Sequence, residues 1–388
     1  MSVLYHIIIP ALIAFFATLW IHPKILKIAL MKNLVDNPDA RKLQRRPVPV
    51  MGGIAVFFGI IVGLCFSQIV FTTPNLFILT AAMIIMLYIG TIDDILDLSP
   101  KVRFIVEIVV VGVVMVANKS LLNNFFGLWG IHEIPIYISI PLTIVTGVGI
   151  INAINLIDGV NGLSSGFCVM ASGLFAIMFY SSGDILMTVL AAAAAGAVIP
   201  FFLHNVFGNN TRMFIGDGGT LVMGMLMSLF VINALKSDTQ CIRFANEGMG
   251  LIPFTLAVLS VPVFDTLRVM SMRIIRGTSP FFPDKTHLHH LFIELGFSHA
   301  GTTFTILSLN MLVVICWWLS FITGASVDLQ LYIVVILSTM ITFVFYKYAK
   351  IQIKKQGKAL KVLQKTGKLL HIEKQGIWSI VEKIVDRI

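Results

Sequence analysis

The chain has 388 residues, of which 57% are hydrophobic and 12% are charged, and its mean hydropathy is +0.93. Soluble domains carry about 25% charged residues, so this composition excludes an ordinary soluble globule. A net charge of +9 would suit nucleic-acid binding in a soluble protein, but in a membrane protein the placement of basic residues matters more than their sum. We therefore expect one all-α membrane domain and no nucleic-acid partner.

Apolar segments separated by polar or Gly/Pro-rich breaks predict about eleven membrane-spanning helices, at about 20 residues per crossing. The first segment lacks the charged start and small-residue cleavage site of a signal peptide, so we expect it to be a span. The predicted spans are Val3–Ile21, Met51–Phe71, Leu76–Ile92, Phe104–Val116, Ile136–Ile154, Leu163–Ser181, Ile185–Leu203, Thr220–Leu235, Gly250–Leu267, Thr302–Thr323 and Leu329–Tyr346.

The basic residues mark the orientation of these spans. If alternate loops lie on opposite sides, all Lys and Arg except Lys119, Lys236 and Arg243 fall on one side. The positive-inside rule makes that side cytoplasmic, with the N-terminus outside and the C-terminus inside. We expect a transmembrane catalytic domain over residues 1–348 and a basic amphipathic tail over residues 349–388, held at anionic lipid.

The motif DDILD places Asp93, Asp94 and Asp97 at the end of the third predicted span. Carboxylates this close repel one another unless a cation joins them, so Mg²⁺ with phosphate oxygens as further ligands suits the site. A solvated acidic helix end is the alternative, but acids at a helix C-terminus oppose the helix dipole.

The motif NAINLIDGVNG repeats polar groups every three residues, at Asn152, Asn155 and Asp158, and Asn161 follows in the loop. Amides can donate to sugar hydroxyls, phosphates or a uracil edge, and the carboxylate can orient them or accept from a ribose. Alternatively, the amides join membrane helices to one another.

The motif FIGDGGT surrounds Asp217 with glycines where the eighth predicted span begins. Backbone amides that turn toward an anion, together with a helix N-terminus, favour a metal ligand that bridges to phosphate. A tight turn with a capping aspartate is the other interpretation.

The longest cytoplasmic loop between spans, RIIRGTSPFFPDKTHLHHLF, carries basic and imidazole groups that suit phosphate binding. They include Arg268, Arg276, Lys285, His287, His289 and His290. Helical spacing predicts that His287 and His290 share a face. Zinc is the alternative that three histidines suggest, but no cysteine partner accompanies them.

In this order the motifs resemble those of the polyprenyl-phosphate N-acetylhexosamine-1-phosphate transferases, glycosyltransferase family 4, and most of all the bacterial undecaprenyl-phosphate N-acetylglucosamine-1-phosphate transferase branch. The resemblance runs from PVPVMGG at Pro47–Gly53 through DDILD, NAINLIDG, FIGDGG and PVFDTLR to DKTHLHH at Asp284–His290. The sequence departs from the family at Asn161, where bacterial relatives usually carry a second aspartate.

The resemblance implies a multi-pass enzyme of the bacterial cytoplasmic membrane that starts cell-envelope glycan synthesis. It would transfer N-acetylglucosamine 1-phosphate from UDP-N-acetylglucosamine to undecaprenyl phosphate, release UMP and use Mg²⁺ or Mn²⁺. Its partners would be these two substrates and membrane lipid. The oligomeric state is left undecided between a homodimer and a monomer.

The expected site residues fall into three groups. Asp94 and Asp217 are the expected metal ligands. We expect catalytic roles for Asp93, Asp94, Asp158 and His287, and substrate binding by Asn152, Asn155, Asn161, Arg268, Arg276, Lys285, His289 and His290.

The sequence is also compatible with two other functions. Phospho-N-acetylmuramoyl-pentapeptide transferases resemble the chain in the same motifs but tend to carry consecutive histidines in the last one. A cation-coupled transporter would also have many spans and intramembrane acids, but near the bilayer midplane and on broken helices.

Overall fold

The computed structural model describes residues 3–37, 47–67, 73, 75–280, 284–371 and 376–387. These residues form seventeen α-helices and two short strands, with a 3₁₀ turn at Leu128–Gly130 and a π turn at Met340–Val344. The helices are α1 Val3–Met31, α2 Gly52–Cys65, α3 Asn75–Leu96, α4 Pro100–Ala117, α5 Ile136–Leu156, α6 Leu163–Ser182, α7 Ile185–Phe207, α8 Gly216–Leu235, α9 Ile242–Asn246, α10 Leu251–Val258, α11 Ser260–Ile275, α12 Leu288–Glu294, α13 His299–Ile322, α14 Val327–Thr339, α15 Phe345–Lys355, α16 Lys358–Leu369 and α17 Ile377–Val385.

Within the described residues, eight helical segments are long and apolar enough to cross a membrane. The pair α10 and α11 adds a ninth if it is one broken span, and α2 is apolar but only 14 residues long. Helix α4 has 18 residues, three of them charged. A helical polytopic membrane protein is thereby confirmed, and every predicted span has a helical counterpart. Residues 68–71, at the end of the second predicted span, lie outside the described residues.

Helix α8 lies at the centre of the bundle. Its sequence is apolar on all sides, as expected for a helix surrounded by protein, and all its residues except Asp217 are buried. It packs against α2, α3 and α5. Any polar group at its N-terminus is therefore placed where α3 and α5 end and α2 begins.

Small residues allow α2 to approach α8 closely. A Cβ atom built on Gly53 would lie 2.2 Å from the backbone nitrogen of Gly219, so only glycine fits. The N–H groups of Gly52 and Gly53 donate to the carbonyls of Phe214 and Ile215, at 3.0 and 2.7 Å. The segment PVPVMGG is thus joined to FIGDGG. The strands β1 Val35–Asp36 and β2 Val48–Pro49, paired antiparallel, precede this contact.

The ninth predicted span, expected to be continuous, is broken, and α10 and α11 meet at 77°. Pro262 lies in the first turn of α11 and cannot donate a backbone hydrogen bond. Asn310 of α13 pairs with the groups that the break releases: its Nδ2 donates to the carbonyl of Val258 at 2.9 Å, and its Oδ1 accepts from the N–H of Val261 at 2.9 Å. Such pairing is what makes a broken helix tolerable inside a membrane.

The C-terminal tail packs on the helical bundle. Trp378 of α17 lies 4.3 Å, between ring centroids, from Phe207 at the end of α7. The carboxylate of Asp386 accepts from the N–H groups of Asn209, Asn210 and Thr211. The expected boundary between residues 348 and 349 falls inside α15, and residues 372–375 of the tail lie outside the described residues. Contact of the tail with anionic lipid stays a prediction.

We predict that Gly53→Val lowers the free energy of unfolding by about 3 kcal/mol, because the added atoms meet backbone of α8 that cannot rotate away. The measurement is the thermal unfolding midpoint of the purified protein in detergent. Gly112→Val is the matched control, since a Cβ on this α4 glycine meets nothing within 4 Å. Equal midpoints for the two variants would contradict the close packing of α2 on α8.

Candidate functional site

A cavity of about 840 Å³ opens at the end of the bundle where α3 and α5 finish and α8 begins. Its lining contains three of the predicted aspartate motifs. The acidic residues that line it are Asp36, Asp93, Asp94, Asp97, Asp158, Asp217 and Asp284. Asn161, Asn205, His290 and His299 also line it. The sequence motifs, far apart in the chain, therefore form one site.

Asp94 caps the N-terminus of α8 from a different helix. Its Oδ1 accepts from the N–H of Asp217 at 3.0 Å, and its Oδ2 accepts from the N–H of Gly218 at 3.3 Å. The first N–H groups of a helix have no partner within it, and a negative charge is favourable there. The contact fixes the end of α3 against the start of α8 and sets the position of Asp217.

Arg103 of α4 joins two of the aspartates. Its Nη1 donates to Asp93 Oδ2 at 2.9 Å and to Asp217 Oδ2 at 3.0 Å. The other oxygen of Asp93 accepts from the N–H of Leu98 at 2.7 Å, which holds the turn after α3. Arg103 is not among the site residues expected from the sequence, although it stands at the start of an apolar helix.

The two asparagines of the NAINLIDG motif support acidic groups of the site. Asn155 Nδ2 donates to Asp217 Oδ1 and to Thr220 Oγ1, each at 2.8 Å. Asn152 Nδ2 donates to Oε2 of the buried Glu107. Both amides thus bond across to other helices, the arrangement that the alternative interpretation expected, while Asn155 also orients an aspartate of the cavity.

Asp158 follows α5 in a turn and accepts a hydrogen bond from Ser164. It is exposed to the cavity, but the surrounding protein partly desolvates it. Desolvation raises the pKa of Asp158, the Ser164 hydrogen bond lowers it and the charge of Asp217 raises it, with a net pKa of about 6. Asn161, close by, lines the cavity, and its carbonyl accepts from Thr303.

His287 lies outside α12, so the expected helical face shared with His290 is wrong. His287 precedes the helix in extended conformation, with φ −62° and ψ 153°. Its ring lies parallel to that of His289, with centroids 5.7 Å apart, and His289 in turn lies 4.4 Å from His290. The three histidines form a row, and only His290 of the three lines the cavity.

Asp265, from the PVFDTLR segment, organises this histidine row. Its Oδ2 accepts from His287 Nδ1 at 2.9 Å and from the N–H of Leu288 at 3.1 Å, and its Oδ1 accepts from Arg268 Nη2 at 2.6 Å. Arg268 is buried and also lies over the ring of Tyr346, with its guanidinium carbon 3.8 Å from the centroid. Arg268 is thus engaged by the protein itself, and it does not line the cavity.

Burial lowers the pKa of His290 to about 4, assisted by His287 and Lys285 nearby. Burial also lowers the pKa of His289 well below its usual value, with His290 and His287 adding to the effect. At pH 7 both rings are neutral hydrogen-bonding groups. Neither ring adds positive charge to the motif. Lys285 and Arg276 are both exposed, and Arg276 lies at the end of α11, away from the cavity lining.

Asp284 is another residue of the cavity that the sequence left without a role. Arg273 Nη2 donates to its Oδ1 at 3.0 Å, and the N–H of Thr286 donates at 3.1 Å. Burial opposes ionisation, but these donors outweigh it and lower the pKa of Asp284 to about 2. The pairing shapes the loop that leads to the histidines.

The acidic groups determine which metal the site can hold. Among the described residues no three His, Cys, Asp or Glu side chains are placed to close around an ion by themselves. Mg²⁺ often takes only one or two carboxylates and completes its shell with water and substrate phosphates. The carboxylate oxygens of Asp94 and Asp217 are hard ligands, and each oxygen can accept more than one contact. Both residues line a cavity large enough for phosphates, so they fit such an ion.

Comparison with known proteins gives the family. The sequence model of glycosyl transferase family 4 matches residues 76–235, which run from α3 to the end of α8 and include the three aspartate motifs. A probable undecaprenyl-phosphate N-acetylglucosaminyl 1-phosphate transferase of Bacillus subtilis (strain 168) is 30% identical over 85% of this chain and 89% of its own length.

Two further relatives carry the name undecaprenyl-phosphate alpha-N-acetylglucosaminyl 1-phosphate transferase. The protein of Yersinia pestis is 30% identical over 70% of this chain and 73% of its own length. That of Escherichia coli (strain K12) is 29% identical over 70% of this chain and 72% of its own length. With identity of this extent and the aspartate motifs gathered in one cavity, the chain belongs to glycosyl transferase family 4.

Proposed function

We propose that the protein transfers N-acetylglucosamine 1-phosphate from UDP-N-acetylglucosamine to undecaprenyl phosphate and releases UMP. The observation that carries this proposal is the meeting of Asp93, Asp94, Asp158 and Asp217 in one cavity at the end of a membrane bundle. A lipid phosphate and a soluble nucleotide can reach such a place together. The names of the relatives supply the acceptor and the sugar.

The reaction needs no water and no redox partner. An oxygen of the lipid phosphate attacks the phosphorus that carries the sugar, and the bond from that phosphorus to the bridging oxygen breaks, so the electron pair leaves with UMP. A phosphate monoester has a second pKa near 6, so much of the acceptor is already dianionic at pH 7. A strong base is therefore unnecessary, and we propose that Asp93 positions the acceptor.

Charge neutralisation should supply most of the catalysis. We propose Asp217 and Asp94 as the ligands of Mg²⁺ or Mn²⁺, which when bound would neutralise the negative charge on the phosphate oxygens. Asn155 keeps Asp217 oriented through its 2.8 Å hydrogen bond. His290, neutral at pH 7, can donate a hydrogen bond from the wall of the cavity, and Lys285 supplies positive charge beside it.

We also propose that the chain crosses the bacterial cytoplasmic membrane eleven times, with the cavity and the C-terminus in the cytoplasm. The placement of the polar groups supports this orientation. Lys236, one of the few basic residues predicted outside, lines a different cavity with Asp184 and Asn118, where α4 and α8 end and α7 begins. The acidic cavity instead lies where α4 and α8 begin.

We predict UMP release when the purified protein is given undecaprenyl phosphate, Mg²⁺ and UDP-N-acetylglucosamine, and none with UDP-N-acetylmuramoyl-pentapeptide. Asp217→Asn should lower the rate by at least about 100-fold, because it removes a charge at the reacting phosphates. Asp238→Asn, at an exposed carboxylate paired with Lys236, is the control and should leave the rate unchanged. Release from the muramoyl donor alone would assign lipid I synthesis instead.

We predict that Ser164→Ala shifts the acidic limb of the pH–rate profile, where the rate falls as the pH is lowered, to higher pH. Ionised Asp158 is lost as the pH falls through about 6, and the Ser164 hydrogen bond favours the ionised form. Loss of this hydrogen bond should move the midpoint of the acidic limb to higher pH by at least about half a pH unit. Ser165→Ala removes an adjacent buried hydroxyl that has no hydrogen-bond partner among the described residues, so its profile should match wild type. If Ser164→Ala also matches wild type, ionisation of Asp158 does not determine the acidic limb.

A further inference from the structure

Arg103 binds the carboxylate of Asp217, which is proposed as a ligand of the divalent cation. Its Nη1 lies 3.0 Å from Asp217 Oδ2 and 2.9 Å from Asp93 Oδ2, and its side chain is 17% exposed. The guanidinium is always charged in proteins. It therefore balances two aspartates that would otherwise repel each other, which is also the task of a metal ion.

Glu107 offers Arg103 a second place to bind. It lies one turn further along α4, and its side chain is 0% exposed. Its Oε2 is occupied by Asn152, whereas its Oε1 is buried and accepts no hydrogen bond from any described residue. Arg103 Nε lies 3.6 Å from this oxygen, just beyond hydrogen-bond distance.

A buried carboxylate oxygen without a donor is costly, so a group that can supply one is expected close by. A shift of a few tenths of an ångström would bring Arg103 Nε into hydrogen-bond distance of Glu107. Arg103 thus already pairs with Glu107 while it binds Asp93 and Asp217, and a small movement toward Glu107 would strengthen that pairing. If another cation took Asp217, the guanidinium would keep a carboxylate partner in Glu107.

We propose that Arg103 is an internal competitor of the divalent cation. Arg103 binds Asp217 when the cation is absent, and it moves toward Glu107 when the cation binds. This inference rests on the cation of the proposed function. Arg103 and the cation repel each other and would bind the same carboxylate, that of Asp217, so each would weaken the binding of the other. Glu107 reduces this conflict because it accepts the displaced guanidinium.

Binding of Mn²⁺ alone, followed by electron paramagnetic resonance of the free ion at pH 8, tests the proposal without substrates. Arg103→Gln should bind Mn²⁺ at least about tenfold more tightly than wild type, because a charge that repels the ion from contact distance is lost. Arg103→Lys, which keeps the charge but not the planar fork, should be intermediate. Lys101→Gln removes an exposed charge two residues away and should bind like wild type.

Glu107→Gln provides a test of opposite sign. Without the second carboxylate Arg103 should stay on Asp217, and Mn²⁺ binding should weaken by about fivefold. In a double variant with Arg103→Gln this weakening should disappear, because Glu107 would act only through Arg103. A simple loss of negative charge would weaken binding equally in both backgrounds. If Arg103→Gln does not fold, Arg103→Lys takes its place in both backgrounds, with the same signs and smaller effects.

The outcomes separate this inference from the proposed function. If wild type binds Mn²⁺ and Arg103→Gln binds it equally or more weakly, the competition is refuted while the transferase stands. If neither wild type nor any variant binds Mn²⁺, both the competition and the cation are refuted, and UMP release decides the reaction separately. Tighter binding by Arg103→Gln together with the cancelled Glu107 effect supports the competition.

Discussion

The hydrogen bonds from the first turn of α8 to Asp94 are the contact around which the site is built. The first N–H groups of α8 have no partner within the helix and need an acceptor. A carboxylate at the end of α3 supplies it. Gly90 allows the two helices to meet, since a Cβ there would lie 2.5 Å from the carbonyl carbon of Asp217. One capping contact thus fixes both the packing of α3 on α8 and the position of Asp217.

This arrangement gathers negative charge at a single point, and the other contacts of the site compensate for it. Arg103 joins Asp93 and Asp217, and Asn155 donates to the remaining oxygen of Asp217. Asp265 and Asp284 are each paired with an arginine, so they shape the surrounding loops without adding net charge. The net negative charge of the cavity therefore rests with the aspartates nearest to α8.

Local patterns revealed the aspartates of the site but not the partners that hold them. Short polar segments between apolar runs contain Asp93, Asp94, Asp158 and Asp217. Charged groups so close to membrane-spanning helices are costly, so their presence indicates functional residues. Arg103 and Glu107 stand inside an apolar run, and only their spacing of four residues signals a pair.

The sequence could not show what depends on tertiary contacts. The break before α11 is stabilised by Asn310 from α13, and Asp265 finds His287 through a loop that is not periodic. Helical spacing misplaced His287 because α12 begins one residue later. The spans themselves follow from hydropathy, since a helix pairs its backbone groups internally except at its two ends, and apolar length suffices to predict it.

The chemistry of the cavity explains why a cation should matter to binding as well as to the reaction. Seven aspartates line it, and both proposed substrates are anionic. At pH 7 His290 adds no charge, since its pKa is held near 4. A phosphate that entered alone would meet like charge, which repels it. A cation that arrives with the phosphate offsets this repulsion, so metal and nucleotide binding should strengthen each other.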